Sequence, residues 1–263
     1  MSVDKFKNHQ HNYQDLTETK RLYARHPGEN LCPEEPVQIL YNGHEAATLL
    51  CTPLELVDLA VGWLYAQGLI ENWEEIHTIG LCEDKSQVFA RTNYDRWLEK
   101  RGWQKALSSG CGGGAMLVST LKETIKPVTC SLSIDKEEIR RTMREMLERA
   151  EMYKSIGGMH SSALANGKEG ILYLSEDIGR HNAVDKVIGK GIINHLNFSD
   201  YYLLTTGRIS AEIVLKAVRA SIAVIASLSI ASSLAFDIAS LAGITLIGRA
   251  LSKSPVVYAK VSS

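Results

Sequence analysis

Gly170-Ile171-Leu172-Tyr173-Leu174-Ser175-Glu176-Asp177-Ile178-Gly179-Arg180-His181-Asn182-Ala183-Val184-Asp185-Lys186-Val187-Ile188-Gly189 joins an apolar run of strand length to a segment of helical length. The junction crowds ionisable side chains onto the start of the helix. Cations at a helix N-terminus oppose the helix dipole, so Arg180 and His181 need either an anion bound in front of them or local neutralisation by Glu176 and Asp177. Charge pattern leaves both readings open.

The same alternation continues outward. Strands are expected at 170–174, 201–206, 223–228 and 244–248, and helices at 179–194, 210–220 and 231–242. That order predicts an α/β fold with a mainly parallel sheet covered by helices. Residues 162–165, turning through Asn166-Gly167 into 171–174, add one antiparallel strand and make the sheet mixed. Upstream, an amphipathic helix is expected from Asp135 to about Lys154.

The first half patterns differently. Val37, Ile39 and Tyr41 alternate up to Asn42-Gly43, a strong hairpin signal, and 45–51 reads as the returning strand. Thr52-Pro53-Leu54-Glu55 offers an N-cap threonine, a first-turn proline and a capping-box glutamate for a helix that Gly68 stops. Residues 76–82 and 87–92 are further short strands. The expected organisation is therefore a polar flexible tail at 1–34, a smaller N-terminal α+β domain at 35–107, a glycine-rich cysteine loop and linker at 108–134, and an α/β domain at 135–263.

Composition narrows the function. An apolar content of 45% over 263 residues suffices for a packed core, and a formal net charge of −1 gives no global attraction to nucleic acid or an anionic membrane. Any anion site must be a local cluster. Five cysteines without CxxC spacing suit a reducing cytoplasm better than a disulfide framework. The first 30 residues hold no apolar segment of signal-peptide type, and the apolar run at 222–234 is broken by serines, so it reads as a buried strand and helix.

Ligands of open α/β sheets bind beyond the carboxyl ends of the strands, and the polar residues collect there. Arg180 and His181 follow one strand, Gly207-Arg208-Ile209-Ser210 the next, Ser229 to Ser233 the third, and Arg249 with Lys253 the fourth. One crevice lined by guanidinium groups, hydroxyls and helix N-termini is expected, suited to the phosphates of a nucleotide-like ligand. His160 joins it as a candidate because Gly157 and Gly158 before it permit close approach to the backbone, although a lone histidine is more often a core residue. Cys51, Cys82 and Cys130 sit in strand-like apolar settings and read as buried small hydrophobes, and Cys32 falls in the tail. Cys111 alone is flanked by Gly110, Gly112, Gly113 and Gly114, which leaves its sulfur unshielded and its backbone free to swing. A thiol that accepts and hands on a group and a linker that happens to contain cysteine both fit.

These residues resemble a known family. Residues 176–189, with Gly157-Gly158-Met159-His160, Gly207-Arg208-Ile209-Ser210-Ala211-Glu212, the run at 227–248 and residues 36–70, resemble the FdhD/NarQ-type formate dehydrogenase accessory sulfurtransferases. The resemblance implies a cytidine-deaminase-like fold in the second half and a cytoplasmic homodimer. It also implies a sulfurtransferase that takes persulfide sulfur from a cysteine desulfurase and passes it to the molybdenum (or tungsten) bis(molybdopterin guanine dinucleotide) cofactor for the formate dehydrogenase catalytic subunit. Nucleic acid and membrane are not expected partners, and no structural metal is implied. The family's persulfide cysteine falls on Cys111, and cofactor contacts fall on His160, Arg180, His181, Asn182, Asp185, Lys186, Arg208, Ser210 and the segment Arg249-Ala250-Leu251-Ser252-Lys253-Ser254.

Two departures stand out. The family commonly shows Cys-Gly-x-Cys, whereas Gly114 occupies the last position here, so no thiol three residues away can resolve a Cys111 persulfide. The family usually has Phe where Arg249 stands and Arg where Leu251 stands. A rival reading follows from Gly114, a non-catalytic chaperone for the same cofactor. A zinc nucleobase deaminase would need His-x-Glu and Pro-Cys-x-x-Cys elements that the sequence lacks.

Overall fold

The computed structural model describes residues 31–97, 125–129, 132 and 135–259. Cys111, Cys130, residues 1–30 of the tail expected at 1–34 and most of the expected glycine-rich loop lie outside the described residues.

The first sheet begins with the hairpin read from Asn42-Gly43. Strands β1 (Glu35–Tyr41) and β2 (His44–Cys51) pair antiparallel, and the turn places Asn42 at φ 49° and Gly43 at φ 87°, the positive values a two-residue hairpin turn requires. Alternation buries Val37, Ile39 and Tyr41 on one face. Strands β3 (Ile76–Leu81) and β4 (Gln87–Thr92) complete the order β2-β1-β4-β3, with β4 parallel to β1.

Between these hairpins runs α1 (Leu56–Ala66), and its start differs from the expected capping box. The N-cap residue is Glu55 in the left-handed region, with no side-chain cap. Thr52 is drawn away by tertiary contacts: its hydroxyl donates to Pro33 O and accepts from Ile178 N, and its own N–H donates to Asp177 Oδ2. Glu55 instead meets Lys190 Nζ at 2.5 Å. A charge-assisted contact largely withdrawn from solvent outweighs a local cap.

The second sheet has the order β10-β9-β8-β7-β5-β6. Its elements are α2 (Lys136–Arg149), α3 (Glu151–Ile156), β5 (His160–Asn166), β6 (Gly170–Asp177), α4 (Arg180–Ile193), β7 (Tyr202–Thr205), α5 (Ala211–Arg219), β8 (Val224–Ser227), α6 (Ser233–Ala242), β9 (Thr245–Gly248) and β10 (Val256–Ala259). The fold is mixed α/β, with two mixed sheets and six α-helices among the described residues. The expected mainly parallel sheet needs correction. Only β7-β8 and β8-β9 are parallel, whereas β9-β10, β5-β7 and β5-β6 are antiparallel. The connection at 249–255 is too short for a parallel crossover, so β10 can only fold back beside β9.

The helix expected over 135–154 is two helices. Asp135 caps α2 by accepting from Glu137 N, but Ala150 leaves the helical region at ψ 88°. The restart is held by the buried carboxylate of Glu176, which accepts from Met152 N at 3.0 Å and Tyr153 N at 2.7 Å. Cys82 also differs from its expected burial. Its thiol donates to Asp84 Oδ1 at 2.8 Å and accepts from Gln87 N at 3.0 Å in the β3–β4 turn, where a polar role replaces packing.

The helices α1 and α4 join the two sheets at unusually short range. A Cβ at Gly62 would lie 1.9 Å from Asp185 O, and one at Gly189 would lie 1.9 Å from Asp58 O, so both positions demand glycine. Behind them, Lys186 is 0% exposed and its ammonium meets Asp177 Oδ2 at 2.7 Å, Thr52 O at 3.1 Å and Glu176 O at 3.1 Å. This buried ion pair fastens the end of β6 to the segment between β2 and α1.

Candidate functional site

Because β5 runs antiparallel to both β6 and β7, the start of β5 and the ends of β6, β7, β8 and β9 share one edge of the sheet. His160 opens β5 opposite Asp177, the last residue of β6. Arg180 opens α4 directly after that strand, and a Cβ on Gly207 would lie 2.8 Å from Arg180 Cβ, so the arginine lies across the exit of β7. Arg208 is exposed on the same exit loop. Backbone bonds then tie neighbouring loops together: Ile209 N to Ile230 O, Ser232 N to Ile209 O, and Arg249 N to Ser229 O. Ser227 Oγ also donates to Gly207 O at 2.5 Å. The loops that carry the expected cations therefore form one continuous wall.

Two helices point their N-termini at this wall. Neither α4, with Gly179 before it, nor α5, with Ser210 before it, has a side-chain cap. Each leaves first-turn N–H groups facing the crevice side, where an anion is favoured. Arg180 Nε is buried and lacks a hydrogen-bond partner among the described residues.

The other expected site residues divide by what their polar atoms already do. Asn182 spends both amide hydrogens inside, on Leu50 O at 2.8 Å and Asp177 Oδ1 at 3.0 Å. Lys186 is likewise consumed by its buried partners, and Asp185 is 1% exposed. These three side chains are buried behind the crevice. His160 is half-buried, with Nδ1 3.3 Å from Thr206 Oγ1; burial, and then Arg180, hold its imidazole below the ordinary value. Arg249, at φ 51°, is exposed, as are Lys253 and Ser254, whereas Ala250 is buried. That last loop is pinned by a residue the sequence did not signal: Arg140 of α2 donates to Ser252 O at 2.8 Å and Lys253 O at 3.2 Å.

A second residue for which no site role was expected is Glu212. Its carboxylate sits 3.1 Å from His181 Nδ1 on one oxygen and 3.1 Å from Lys216 Nζ on the other. His181 Nε2 in turn lies 2.9 Å from Ser210 Oγ. Burial pushes His181 down to about 4, against the upward pull of Glu212, so the imidazole is neutral near pH 7. Burial opposes ionisation of Glu212, but Lys216 and His181 outweigh it and its carboxyl is held below the ordinary value. Lys216 is 3% exposed and continues inward to Asp185 Oδ2 at 2.7 Å. Burial pushes Asp185 up to about 6 in spite of that ammonium. Spacing could not reveal this chain, since His181 and Glu212 come from different helices.

Among the described cysteines, Cys51 is inert: burial first, and Asp177 next, push its thiol up to about 12. No group of three or more potential metal ligands occurs among the described residues, and no described helix is long and apolar enough to cross a membrane.

Residues 32–263 match the profile of the FdhD/NarQ family. A sulfur carrier protein FdhD from Shouchella clausii (strain KSM-K16) is 34% identical over 257 residues, covering 94% of this chain and 95% of the relative. One from Saccharolobus solfataricus is 31% identical over 250 residues, covering 93% and 94%. A crystal structure of a proposed formate dehydrogenase accessory protein from Desulfotalea psychrophila superposes with a TM-score of 0.69 at 26% identity, covering 86% of each chain.

Proposed function

The chain belongs to the FdhD/NarQ family, and we propose that it is a sulfur carrier whose basic crevice holds a molybdenum or tungsten bis(molybdopterin guanine dinucleotide) cofactor as substrate. Cys111 receives sulfur in this reading. Its thiolate attacks the outer sulfur of a cysteine desulfurase persulfide, the S–S bond breaks, and the desulfurase cysteine leaves as thiolate. The glycines around Cys111 let the new persulfide swing toward the held cofactor, which then serves formate dehydrogenase. The protein's part is binding and orientation, and the metal chemistry belongs to the cofactor. A cytoplasmic homodimer, with one crevice per protomer, suits a ligand that carries two guanine dinucleotide arms. The wider fold is expected to be cytidine-deaminase-like.

The observation that carries the reading is the convergence of Arg180, Arg208, Arg249 and two uncapped helix N-termini on one sheet edge. Phosphates are the ligand groups that such an edge attracts. Arg180, Arg208, His160, Ser210 and the loop from Arg249 to Ser254 would make the contacts, with Asn182, Asp185 and Lys186 behind them. Isothermal calorimetry with guanosine diphosphate tests this. Arg208→Ala should weaken binding by about tenfold or more, the loss of one charge-assisted contact, and unchanged affinity removes Arg208 from the site.

A non-catalytic cofactor chaperone uses the same crevice without sulfur on Cys111. Gly114, standing where a second loop cysteine is usual, is the observation that favours it.

A further inference from the structure

We propose that Ser210, His181 and Glu212 form an activated serine, so that the crevice can accept an acyl group from an anionic carboxylic ester onto Ser210 Oγ. The assignment rests on geometry at the crevice and goes beyond sulfur carriage. Ser210 Oγ and His181 Nε2 are 2.9 Å apart, and His181 Nδ1 and Glu212 Oε2 are 3.1 Å apart. A nucleophile hydrogen-bonded to a base that a third group orients is the arrangement serine nucleophiles require.

Chemistry settles the tautomer. Glu212 is ionised and can only accept, so Nδ1 must carry the imidazole proton; the alternative would set a lone pair against a carboxylate. Nε2 is then the acceptor, and the Ser210 hydroxyl donates to it. Lys216 holds the other oxygen of Glu212 at 3.1 Å, which fixes the carboxylate toward His181. Ser210 is half-exposed and its hydroxyl is not spent on capping α5. Ser210 is the N-cap residue of α5, whose first-turn N–H groups receive no side-chain cap and are left as potential oxyanion donors, and Arg180 and Arg208 on the same wall favour an anionic substrate.

The step balances without redox chemistry. Ser210 Oγ attacks the carbonyl carbon while its proton passes to His181 Nε2. The ester C–O bond breaks, and the leaving alkoxide takes that proton. Water, deprotonated by His181, then releases the acid and restores the serine. His181 is neutral down to about pH 4, with Glu212, Lys216, Arg180 and His160 as the charged or titratable groups that act on it. The base form is thus present across the neutral range, and the reaction rate should be level from pH 8 down to about 5.

The test is time-resolved mass spectrometry of the full chain with a fluorophosphonate probe, in which Ser210 Oγ would displace fluoride from phosphorus. Peptide mapping should place the adduct on Ser210, with exposed Ser254 as the internal reference for an unactivated hydroxyl. Ser210→Ala should abolish the adduct, and Glu212→Gln should slow it by roughly 10²-fold at a temperature well below the melting temperature of either variant. In the unaltered protein, 15N NMR should show His181 protonated on Nδ1, a readout independent of whether any variant folds. Equal labelling of Ser210 and Ser254, equal rates in Glu212→Gln, or an Nε2-protonated His181 would overturn the assignment. None of these outcomes bears on persulfide formation at Cys111.

Discussion

Replacing Lys186 by Met separates a structural lysine from a ligand-binding one, and the structure supports a worked magnitude. The ammonium is 0% exposed and meets Asp177 Oδ2 at 2.7 Å, Thr52 O at 3.1 Å and Glu176 O at 3.1 Å. Removing one partner of a buried pair costs about 3–5 kcal/mol, because the other charge stays buried without compensation. Asp177 keeps three neutral donors, Thr52 N, Gly179 N and Asn182 Nδ2, which places the loss at the lower end. A loss of about 3 kcal/mol corresponds to a fall in melting temperature of roughly 6–12 °C for a chain of this size. Calorimetric melting of Lys186→Met and of Lys186→Met/Asp177→Asn would measure it. The double variant should recover part of the loss, since no orphaned carboxylate remains. A melting temperature within about 2 °C of the parent, together with lost guanosine diphosphate affinity, would refute the reasoning and return Lys186 to the ligand wall.

Gly189→Ala should destabilise the fold by about 2 kcal/mol or more despite alanine's helical advantage of about 1 kcal/mol, because its Cβ would lie 1.9 Å from Asp58 O; urea unfolding checks this. Gly207→Ala should lower the melting temperature and weaken guanosine diphosphate binding, because its Cβ would lie 2.8 Å from Arg180 Cβ, an atom that moves only with the α4 backbone; unaltered melting and binding would count against this close packing and against Arg180 as a contact. His181 should titrate by NMR at about 4. Its folded value lies below the unfolded one of about 6.5, so the stability it contributes is fully present above that value and is lost as pH falls toward 4.

Much of the second half was legible because its elements alternate cleanly between apolar strands and amphipathic helices, and the strand-end rule then gathered Arg180, Arg208 and Arg249 at one edge. What sequence could not resolve were choices made by tertiary contact. Thr52 and Glu55 read as a capping box, yet Asp177, Ile178 and Lys190, all from the other half of the chain, claimed them. The family resemblance placed cofactor contacts on Lys186 and Asp185, but one side of α4 packs on α1 so closely that both are buried. Arg140 and Glu212 carry no local signal: each acquires its role from a loop or helix distant in sequence. The antiparallel return of β10 depended on the shortness of one connection, a cue outweighed by the alternation before it.

The central claim, that this chain carries sulfur on Cys111, is tested most directly by intact-protein mass spectrometry after incubation with a cysteine desulfurase and cysteine. The account predicts a gain of one sulfur atom on the parent chain that is lost on reduction and absent from Cys111→Ala. No gain on a parent chain that still binds guanosine diphosphate, with a desulfurase shown to load another FdhD-family carrier, would contradict it and leave the chaperone reading.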